Sequence, residues 1–428
     1  RLSRGVVEIW TPGTSWEPVQ TTDPLQDLSN RLEQRRPISS YDLPKFWGGA
    51  VGYFGYDVVR MIEELPNQPE DDLNLPDGLF AFMDVVLAVD NMAGSAMAIA
   101  SVEVDMELEE EELRYRYDAA VEKITGLIDS IKSDTNSAVV NPGLEPSKDP
   151  EFSSTVEQSV FEENVLRIRE YITAGDVFQV VLSQRFSMTI TGAPFDLYSV
   201  LRNLNPSPYM YLLEMEDFSL VGSSPEVLVR LRDDKVTVRP IAGTRPRGEN
   251  PKEDMDFELD LRRDAKELAE HRMLVDLGRN DIGRIAEYGS VKVTDLMVVE
   301  MYSHVMHLVS QVEGNLAEEL CAMDVFKACF PAGTVSGAPK VRAMEIIDEL
   351  EPLARGPYAG AVGYFGWGSL SMDLAITIRT VLVSEGKAFV QAGAGIVADS
   401  EPRREFDETV NKARALLRAV SMLENSAD

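Results

Sequence analysis

The chain has 428 residues, of which 41 are Lys or Arg and 72 are Asp or Glu, and its formal net charge at pH 7 is −31. Because such an excess of acid repels nucleic-acid phosphates and anionic lipid headgroups, neither a nucleic-acid nor a membrane partner is expected. With 44% hydrophobic and 26% charged residues, the composition is typical of a globular protein of roughly two to three domains.

The ends and the cysteines point to the cytoplasm. The opening residues, RLSRGVVEIW, lack the apolar core of a signal peptide, and no apolar run is as long as a membrane helix. Cys321 and Cys329 lie in a helix-like apolar pattern without Cys-x-x-Cys spacing, which indicates buried thiols in a reducing compartment. Because the first residue is Arg1, we expect a trimmed N-terminus or a fragment.

The string GAVGYFG occurs twice, once within residues 47–57 and once within residues 357–367. Each copy is followed by a strand-like segment, residues 80–90 in the first case and 372–383 in the second. This predicts duplicated β-rich units, and the glycines would let two backbones approach closely or bulge.

Between the copies, residues 104–133 have helical apolar spacing, and the acidic run Glu107 and Glu109 to Glu112 predicts a solvated helix face rather than a metal site. The polar stretch that follows contains three prolines and no periodicity, which indicates a linker. The predicted regions are an N-terminal part at 1–132, a linker at 133–154 and a second region at 155–428.

Downstream of the linker, strands follow one another across short turns, and helices come separately rather than after every strand. This order favours antiparallel sheets and an α+β layered sandwich over a doubly wound sheet. The predicted helices are 156–175, 194–204, 254–281, 338–350 and 401–423, and the predicted strands are 176–188, 209–216, 218–224, 227–232 and 235–240.

Two pairs of glutamates have i, i+3 spacing on predicted helices: Glu267 with Glu270, and Glu405 with Glu408. This spacing puts each pair on one helix face, about 5–6 Å apart. Two such faces opposite each other would make an all-oxygen site for a hard cation such as Mg²⁺. In a chain with 72 acids such pairs also arise by chance, so the spacing alone leaves the metal site open.

Other candidate groups have two interpretations each. Gly393 and Gly395 follow an apolar strand, where their N–H groups would form an anion nest or simply end the strand in a turn. Glu226, in SSPE, is either an acid aimed into a cleft or a turn residue. The segment 330–340 lacks the Gly-Lys-Ser/Thr ending of a phosphate loop, which disfavours nucleotide binding.

Taken together, several long motifs resemble the chorismate-utilising enzymes, and most closely the anthranilate synthase component I family. The resemblance implies a four-layer α/β/β/α sandwich of largely antiparallel sheets with an internal pseudo-repeat. It covers nearly the whole chain and is carried by GGAVGYFGYD (48–57), NPSPYM (205–210), SSPE (223–226), PIAGTRPRG (240–248), AEHRMLVDLGRNDIGR (269–284), FPAGTVSGAPKVRAMEIIDELE (330–351), MDLAITIRT (372–380) and QAGAGIVADS (391–400).

The resemblance implies Mg²⁺-dependent conversion of chorismate and ammonia to anthranilate and pyruvate, the first committed step of tryptophan biosynthesis. Glu226 would protonate the leaving hydroxyl, and His307 would act on the C2 proton as base or orienting group, with Thr244 and Gln179 as further catalytic positions. The metal ligands implied are Glu270 and Glu408, supported by Glu267 and Glu405, and the substrate-binding positions implied are Thr334, Tyr358, Arg379, Gly393, Ala394, Gly395 and Lys412.

Two positions separate this chain from relatives with other chemistry. Ala242 stands where aminodeoxychorismate synthases usually carry a nucleophilic Lys, and Gln179 stands where isochorismate and salicylate synthases carry a Lys that activates water. Both differences favour direct use of ammonia. The alternatives are an enzyme that stops at 2-amino-2-deoxyisochorismate, an aminodeoxychorismate synthase-like enzyme, and an inactive subunit that activates a glutaminase.

The resemblance also implies a partner and a regulator. The chain has no Gly-x-Cys-x-Gly elbow for a thiol nucleophile, so a glutamine amidotransferase subunit is expected to supply ammonia, in a heterotetramer. The family's tryptophan feedback site combines a Leu-Leu-Glu-Ser segment, which this chain does not contain, with the segment formed here by Asn205, Pro206, Ser207, Pro208, Tyr209 and Met210. Tryptophan inhibition is therefore expected of an intact protein rather than of these residues alone.

Overall fold

The computed structural model describes residues 1–38, 42–105, 107–133, 150–302 and 305–424. Helices and runs of antiparallel strands follow one another along the described chain. The α-helices are α1 (Pro24–Glu33), α2 (Glu110–Ser133), α3 (Gln158–Ala174), α4 (Pro194–Leu204), α5 (Pro251–Arg263), α6 (Ala265–Gly283), α7 (Ala322–Cys329), α8 (Lys340–Leu350) and α9 (Pro402–Glu424). The strands of the first half are β1 (Leu2–Ser3), β2 (Val6–Ile9), β3 (Glu17–Val19), β4 (Gly49–Phe54), β5 (Gly78–Met83), β6 (Val85–Asp90), β7 (Ser95–Ala100), β8 (Ser153–Ser154), β9 (Gln179–Thr189), β10 (Tyr209–Glu214) and β11 (Phe218–Ser224). Those of the second half are β12 (Val227–Arg232), β13 (Lys235–Val238), β14 (Ile241–Pro246), β15 (Lys292–Met301), β16 (Val305–Asn315), β17 (Gly337–Ala338), β18 (Ala361–Gly366), β19 (Met372–Ile376), β20 (Thr380–Ser384) and β21 (Lys387–Ile396).

The strands form two large antiparallel sheets and one hairpin. The larger sheet has 12 strands in the order β14-β16-β13-β12-β19-β18-β4-β5-β1-β2-β3, with β15 also paired to β16. The smaller sheet has seven strands in the order β10-β11-β20-β21-β9-β17, with β8 paired to β9, while β6 and β7 pair only with each other. The predicted α+β class with antiparallel sheets is confirmed.

The two GAVGYFG copies lie side by side in the larger sheet. Strands β4 and β18 pair antiparallel, with Gly52 opposite Gly363 and Phe54 opposite Ala361. A side chain at Gly52 would overlap the backbone of β5, so this position requires glycine. The predicted close approach of backbones is therefore confirmed, and the first copy brings the N-terminal strands into the same sheet as the C-terminal ones.

Separate apolar clusters hold helices against each sheet. One cluster joins the larger sheet to α1, α6 and α7, and two others join the smaller sheet to α4 and α9 and to α3 and α8. A fourth cluster contains Tyr53 and Val362 of the larger sheet together with Leu220 and Leu382 of the smaller sheet, so the two sheets share a core. The α/β/β/α layer order and the pseudo-repeat remain predictions that these clusters support.

Several helix ends follow directly from the sequence. Asp23 and Asn250 accept hydrogen bonds from the first-turn N–H groups of α1 and α5, and a proline stands at the start of each helix. These are favourable N-terminal residues because they satisfy free N–H groups or need none. Helix α3 ends at Gly175, whose φ of 87° is in the left-handed region that glycine adopts without strain.

The single helix predicted over 254–281 is wrong in one respect, because the chain forms two helices there. Asp264 has extended backbone angles, φ −71° and ψ 106°, and its carboxylate accepts hydrogen bonds from Lys266 N–H and Glu267 N–H at 3.0 and 3.2 Å. It thus caps the start of α6. Similarly, the strand predicted at 80–90 is divided into β5 and β6, which belong to different sheets.

Most of the predicted linker at 133–154 lies outside the described residues, namely 134–149. The predicted regions 1–132 and 155–428 both contribute strands to the larger sheet. The acidic residues from Glu109 to Glu112 are exposed, as predicted, and no residue of α2 is buried. Within the described parts of the chain, no helix has the length and apolar character needed to cross a membrane.

Candidate active site

The chain passes from one sheet to the other at Arg379. The single strand predicted over 372–383 is in fact two strands, β19 in the larger sheet and β20 in the smaller one. Arg379 lies between them with φ 49°, a left-handed conformation that is uncommon for a residue with a side chain. Burial lowers the pKa of its guanidinium, while the nearby Tyr358 and Glu408 act in the opposite direction. The crossing thus places a desolvated cation at the junction of the two sheets.

Gly393, Ala394 and Gly395 lie inside β21 rather than after it, so neither the predicted nest nor the predicted turn is correct. They pair with Ser183, Leu182 and Val181 of β9 in an antiparallel ladder. On the other side of β21, the ladder with β20 extends only as far as Val390. The open edge of β21 beyond that residue leaves alternate backbone groups available to a ligand.

The two glycines of β21 are required because side chains lie across them. A Cβ on Gly393 would be 2.7 Å from Oη of Tyr358, and a Cβ on Gly395 would overlap Nε2 of Gln179. Lys412 reaches the same strand from α9, and its Nζ donates a hydrogen bond to the carbonyl oxygen of Gly393 at 3.0 Å. The strand therefore brings a phenol, an amide and an ammonium group together.

Glu226 is a buried acid, not an exposed turn residue. Its backbone carbonyl accepts a hydrogen bond from Ile376 N–H at 3.0 Å, and Ser224 Oγ donates to the Ile376 carbonyl at 2.7 Å, which fixes the segment against β19. Burial raises the pKa of Glu226 to about 8, against the opposing effects of the Thr334 hydroxyl and the Lys412 ammonium. The carboxyl group therefore carries its proton at neutral pH, as a general acid must.

His307 faces the site from β16 with a defined tautomer. Its Nδ1 lies 3.1 Å from the carbonyl oxygen of Gly243 and 3.1 Å from Oγ1 of Thr244. Since a carbonyl only accepts hydrogen bonds, Nδ1 must carry the proton, and Nε2 is left with a free lone pair. Burial lowers the pKa of His307, which favours this neutral form, and the ring of Tyr302 packs edge-on at 5.6 Å.

The four predicted metal-binding glutamates lie at the start of α6 and the start of α9. Each of three carboxylates has a polar partner: Glu270 accepts from Gln179 Nε2 at 3.1 Å, Glu408 pairs with Lys412 at 2.7 Å, and Glu267 lies 3.5 Å from Arg245. Burial, and then repulsion from Glu270, raises the pKa of Glu267. Burial likewise raises the pKa of Glu405, with Glu408 adding to the effect.

The donor chemistry of these residues fits Mg²⁺. Within the described residues, no three His, Cys, Asp or Glu side chains converge closely enough to hold a metal by themselves. Mg²⁺ commonly takes only one or two protein carboxylates and completes its shell with water and substrate oxygens. In addition, the buried Oε1 of Gln179, beside Glu270, has no hydrogen-bond partner in the described part of the chain, so an acceptor oxygen remains free there.

All the predicted catalytic, substrate and metal positions belong to one connected group. Thr244 lies within hydrogen-bond distance of His307, and both His307 and Tyr358 interact electrostatically with Arg379. Lys412 donates a hydrogen bond to the edge of β21 and interacts electrostatically with Glu226. The predicted feedback segment lies elsewhere. Tyr209 donates to Asp373 at 2.9 Å and accepts from Arg230 at 2.8 Å, and Met210 packs in the core beneath α9.

Pro206, Ser207 and Pro208 connect α4 to β10, and the Asn205 carbonyl accepts a hydrogen bond from Ser223 Oγ, three residues before Glu226. The feedback role of this segment remains a prediction.

Sequence reasoning missed a buried ion pair next to this group, formed by Glu351 and Arg355 with N···O at 2.6 Å. The sequence gives one indication of this pair, namely that an acid and a base stand four residues apart directly after a predicted helix. Such charged pairs are common on protein surfaces, so the spacing does not predict burial. The partners that place the pair beside the active site are distant in the sequence, so no local pattern reveals them.

Comparison with known proteins identifies the family. Residues 8–418 match the family described as chorismate binding enzyme. The chain is 49% identical to anthranilate synthase component 1 of Pseudomonas putida, over 98% of this chain and 84% of that protein. It is also 49% identical to the protein of that name from Pseudomonas aeruginosa, over 99% of this chain and 85% of that protein. The crystal structure of anthranilate synthase component I from Streptococcus pneumoniae is 40% identical, with a TM-score of 0.84 over 97% of this chain and 89% of that chain. The chain therefore belongs to the chorismate binding enzyme family.

Proposed function

We propose that the chain is an anthranilate synthase subunit that converts chorismate and ammonia to anthranilate and pyruvate with the help of Mg²⁺. The relatives that share nearly half of its residues carry that name, and they align over nearly its whole length. The observation that carries the proposal is a buried Glu226, whose pKa burial raises to about 8, in the same group of residues as the cations of Lys412 and Arg379. Such a group binds an anionic substrate beside an acid that can protonate a leaving group.

Chorismate carries two carboxylates, and the chain has a net charge of −31, so the site must supply local positive charge. Arg379 provides a planar guanidinium that suits a bidentate carboxylate. Tyr358 Oη and the N–H group of Gly395 at the open edge of β21 offer further donors for the same group, whereas the backbone of neighbouring Ala394 faces Leu182 of β9. These residues are assigned to the enolpyruvyl carboxylate.

Glu270 and Glu408 would hold the Mg²⁺ ion, with Glu267 and Glu405 beside them on the same helix faces. When bound, the ion would neutralise the ring carboxylate of the substrate. Burial, with added repulsion from Glu270 and Glu408, raises the pKa values of Glu267 and Glu405, and this supports the assignment because a bound cation would favour the charged carboxylates.

In the first step, the ammonia nitrogen bonds to C2 of the ring, the ring double bonds shift, and the C4–O bond breaks. Hydroxide is a poor leaving group, so the C4 oxygen must receive a proton as that bond breaks. Glu226 supplies the proton because its raised pKa keeps it protonated at neutral pH. The Thr334 hydroxyl lies close enough to Glu226 to oppose the rise in its pKa, and we assign Thr334 to orienting the acid or the substrate.

In the second step, the C2–H bond breaks, its electron pair forms the C2–C3 double bond that completes the aromatic ring, and the C3–O bond breaks. The released enolpyruvate takes up a proton at its methylene carbon and becomes pyruvate. The free Nε2 of His307 is the group that accepts the C2 proton. Thr244 and the Gly243 carbonyl hold the ring in the required tautomer. His307 thus acts after the amination that Glu226 assists.

Gln179 and Ala242 favour ammonia over water or a covalent route. The amide of Gln179 donates to Glu270 and cannot remove a proton from water. Ala242 lies on β14 opposite Leu308 and offers no nucleophile. Because ammonia is a stronger nucleophile than water, the site needs no base to activate it.

Glutamine-dependent activity would require a partner amidotransferase subunit, in a heterotetramer. Burial raises the pKa values of both thiols, Cys321 and Cys329, which makes each a poor nucleophile at neutral pH. The name of the relatives, component 1, supports a second component. Ammonium alone should support the reaction without that partner.

The proposal is tested by incubating the chain with chorismate, Mg²⁺ and ammonium at mildly alkaline pH. We expect anthranilate fluorescence and pyruvate to appear in equal amounts. Pyruvate with salicylate would move the chain to the water-using branch, and an aminated product without pyruvate would identify an enzyme that stops at the first step. Absence of every product would refute an enzymatic role and favour an inactive subunit.

A further inference from the structure

Arg355 and Glu351 form a buried ion pair behind the active site, in which all three guanidinium nitrogens donate hydrogen bonds. Their side chains are only 2% and 3% exposed, and the guanidinium donates to the carboxylate through Nε at 2.8 Å and Nη2 at 2.6 Å. Two further donors reach backbone carbonyls: Nη1 donates to Val335 at 2.7 Å and Nη2 to Val181 at 2.8 Å. The charge is thus paired and four of the five guanidinium N–H groups are hydrogen-bonded, which offsets the cost of burying the ion pair.

Each of these partners is next to a substrate position. Val335 follows Thr334 in the same short turn. Val181 is the partner of Gly395 across the β9–β21 ladder. The Arg355 guanidinium also lies over the ring of Tyr358, with Cζ 5.5 Å from the ring centroid.

The carboxylate of Glu351 completes the frame. Its Oε1 accepts hydrogen bonds from Ser183 N–H at 2.7 Å and Ser183 Oγ at 2.8 Å, and Ser183 is the ladder partner of Gly393. The ring of Tyr56, with its centroid 4.8 Å from the Arg355 Cζ, closes another side of the pair. One ion pair therefore contacts the Thr334 turn, the strand behind Gly393 and Gly395, and Tyr358.

We propose that Arg355 is a positioning residue, which acts with Glu351 to hold the Thr334 turn, strand β9 and Tyr358 in the arrangement that receives the substrate carboxylate. This assignment rests on the proposed function for the identity of the substrate. In this proposal, Arg355 acts on the site through these partners. Lysine cannot replace it, because an ammonium group lacks the planar fork that reaches a carboxylate and two carbonyls at once.

The test compares Arg355→Lys with a matched control, Arg60→Lys. Arg60 is also paired with a carboxylate near the end of α8, with Nη2 2.8 Å from Asp348, and its other hydrogen bonds within the described residues go to Asp57 and Asn67, which are not substrate positions. We expect Arg355→Lys to raise the KM for chorismate about tenfold or more, the change produced by losing one hydrogen bond to a charged group. The fall in kcat should be smaller, and Arg60→Lys should leave KM within about twofold.

A second measurement does not depend on activity. Amide hydrogen exchange of the segments 332–338 and 180–184 should be faster in Arg355→Lys than in the parent, and unchanged in Arg60→Lys. If Arg355→Lys does not fold, Glu351→Gln takes its place with the same expectations, since the amide still accepts a hydrogen bond from Ser183.

Equal effects of the two Arg→Lys substitutions on KM, or unchanged exchange in both segments of the Arg355→Lys protein, would overturn the assignment. If the parent protein does not turn over chorismate, the proposed function fails. The exchange comparison then still decides whether Arg355 positions these segments.

Discussion

Replacing Glu226 by Gln should abolish turnover and also stabilise the protein at alkaline pH. The amide mimics the protonated acid but does not ionise. In the parent, the pKa rises from 4.5 in the unfolded chain to about 8 in the folded protein, so the folded state binds the proton more tightly. Stability is therefore lost as pH rises from about 4.5 to about 8, and this loss should be absent from Glu226→Gln.

The size of the effect follows from the two pKa values. At about 1.4 kcal/mol for each pKa unit, the difference between the unfolded and folded pKa values of Glu226 lowers the stability of the parent by between about 1 and 2 kcal/mol at pH 5.5 and by between about 4 and 5 kcal/mol at pH 8.5. Between these two pH values the parent should lose about 3 kcal/mol more unfolding free energy than Glu226→Gln. Urea unfolding of both proteins at pH 5.5 and pH 8.5 measures this difference directly.

A control substitution separates Glu226 from general effects of charge. Glu170→Gln removes an exposed carboxylate from α3 and should change stability equally at the two pH values. If Glu226→Gln and the parent lose stability in parallel between pH 5.5 and pH 8.5, Glu226 ionises as an ordinary glutamate. It would then be deprotonated at neutral pH and unsuited to the role of general acid.

Three further substitutions test the other parts of the site. His307→Ala should slow pyruvate loss at least tenfold more than amination, so that the aminated intermediate accumulates in chromatograms, and equal slowing of both steps would remove its assigned role. Glu270→Gln should abolish Mg²⁺-dependent activity and weaken Mg²⁺ binding measured by calorimetry about tenfold or more, with an unchanged circular dichroism spectrum, and unaltered binding would refute the metal assignment. Gly395→Ala should lower activity because the added methyl displaces the amide of Gln179 from Glu270, and the double variant with Gln179→Ala should regain the lost space; a fully active Gly395→Ala would contradict this packing.

The sequence predicted the elements well where local patterns and distant contacts agree. The helix that ends at Cys329 forms where the apolar spacing around the two cysteines indicated a helix. The repeated GAVGYFG string indicated close backbone contact because the run of glycines has few other uses in a strand. What the string did not reveal is that its two copies pair with each other, since pairing depends on contacts about 300 residues apart.

The errors share a physical cause. The alternation of apolar residues continues through 372–383, although the chain changes sheet at Arg379, because both halves of the segment are buried in the same way. Likewise, the apolar spacing of 254–281 continues through Asp264, where the carboxylate caps a new helix. Periodicity reports burial, and it does not report where a strand changes partner or where a helix restarts.

The candidate site shows the same limit. Composition and spacing left two interpretations for Glu226 and for Gly393. The family resemblance assigned a role to each residue but did not predict how the residues are arranged. Burial of Glu226 depends on β19, whose contacting residue Ile376 is 150 positions away in the chain. The net charge of −31 disfavoured a nucleic-acid partner, yet it gave no sign that the cations of Arg379 and Lys412 would lie in the same site.

The central claim is that Glu226 is the acid of a chorismate-using, ammonia-dependent enzyme. It is tested most directly by measuring chorismate binding and anthranilate formation together, in the parent and in Glu226→Gln, with Mg²⁺ and ammonium present. We predict that the parent forms anthranilate and that Glu226→Gln binds chorismate with an affinity within about threefold of the parent while its turnover falls at least a hundredfold. Anthranilate formation by Glu226→Gln at the parent's rate would contradict the claim.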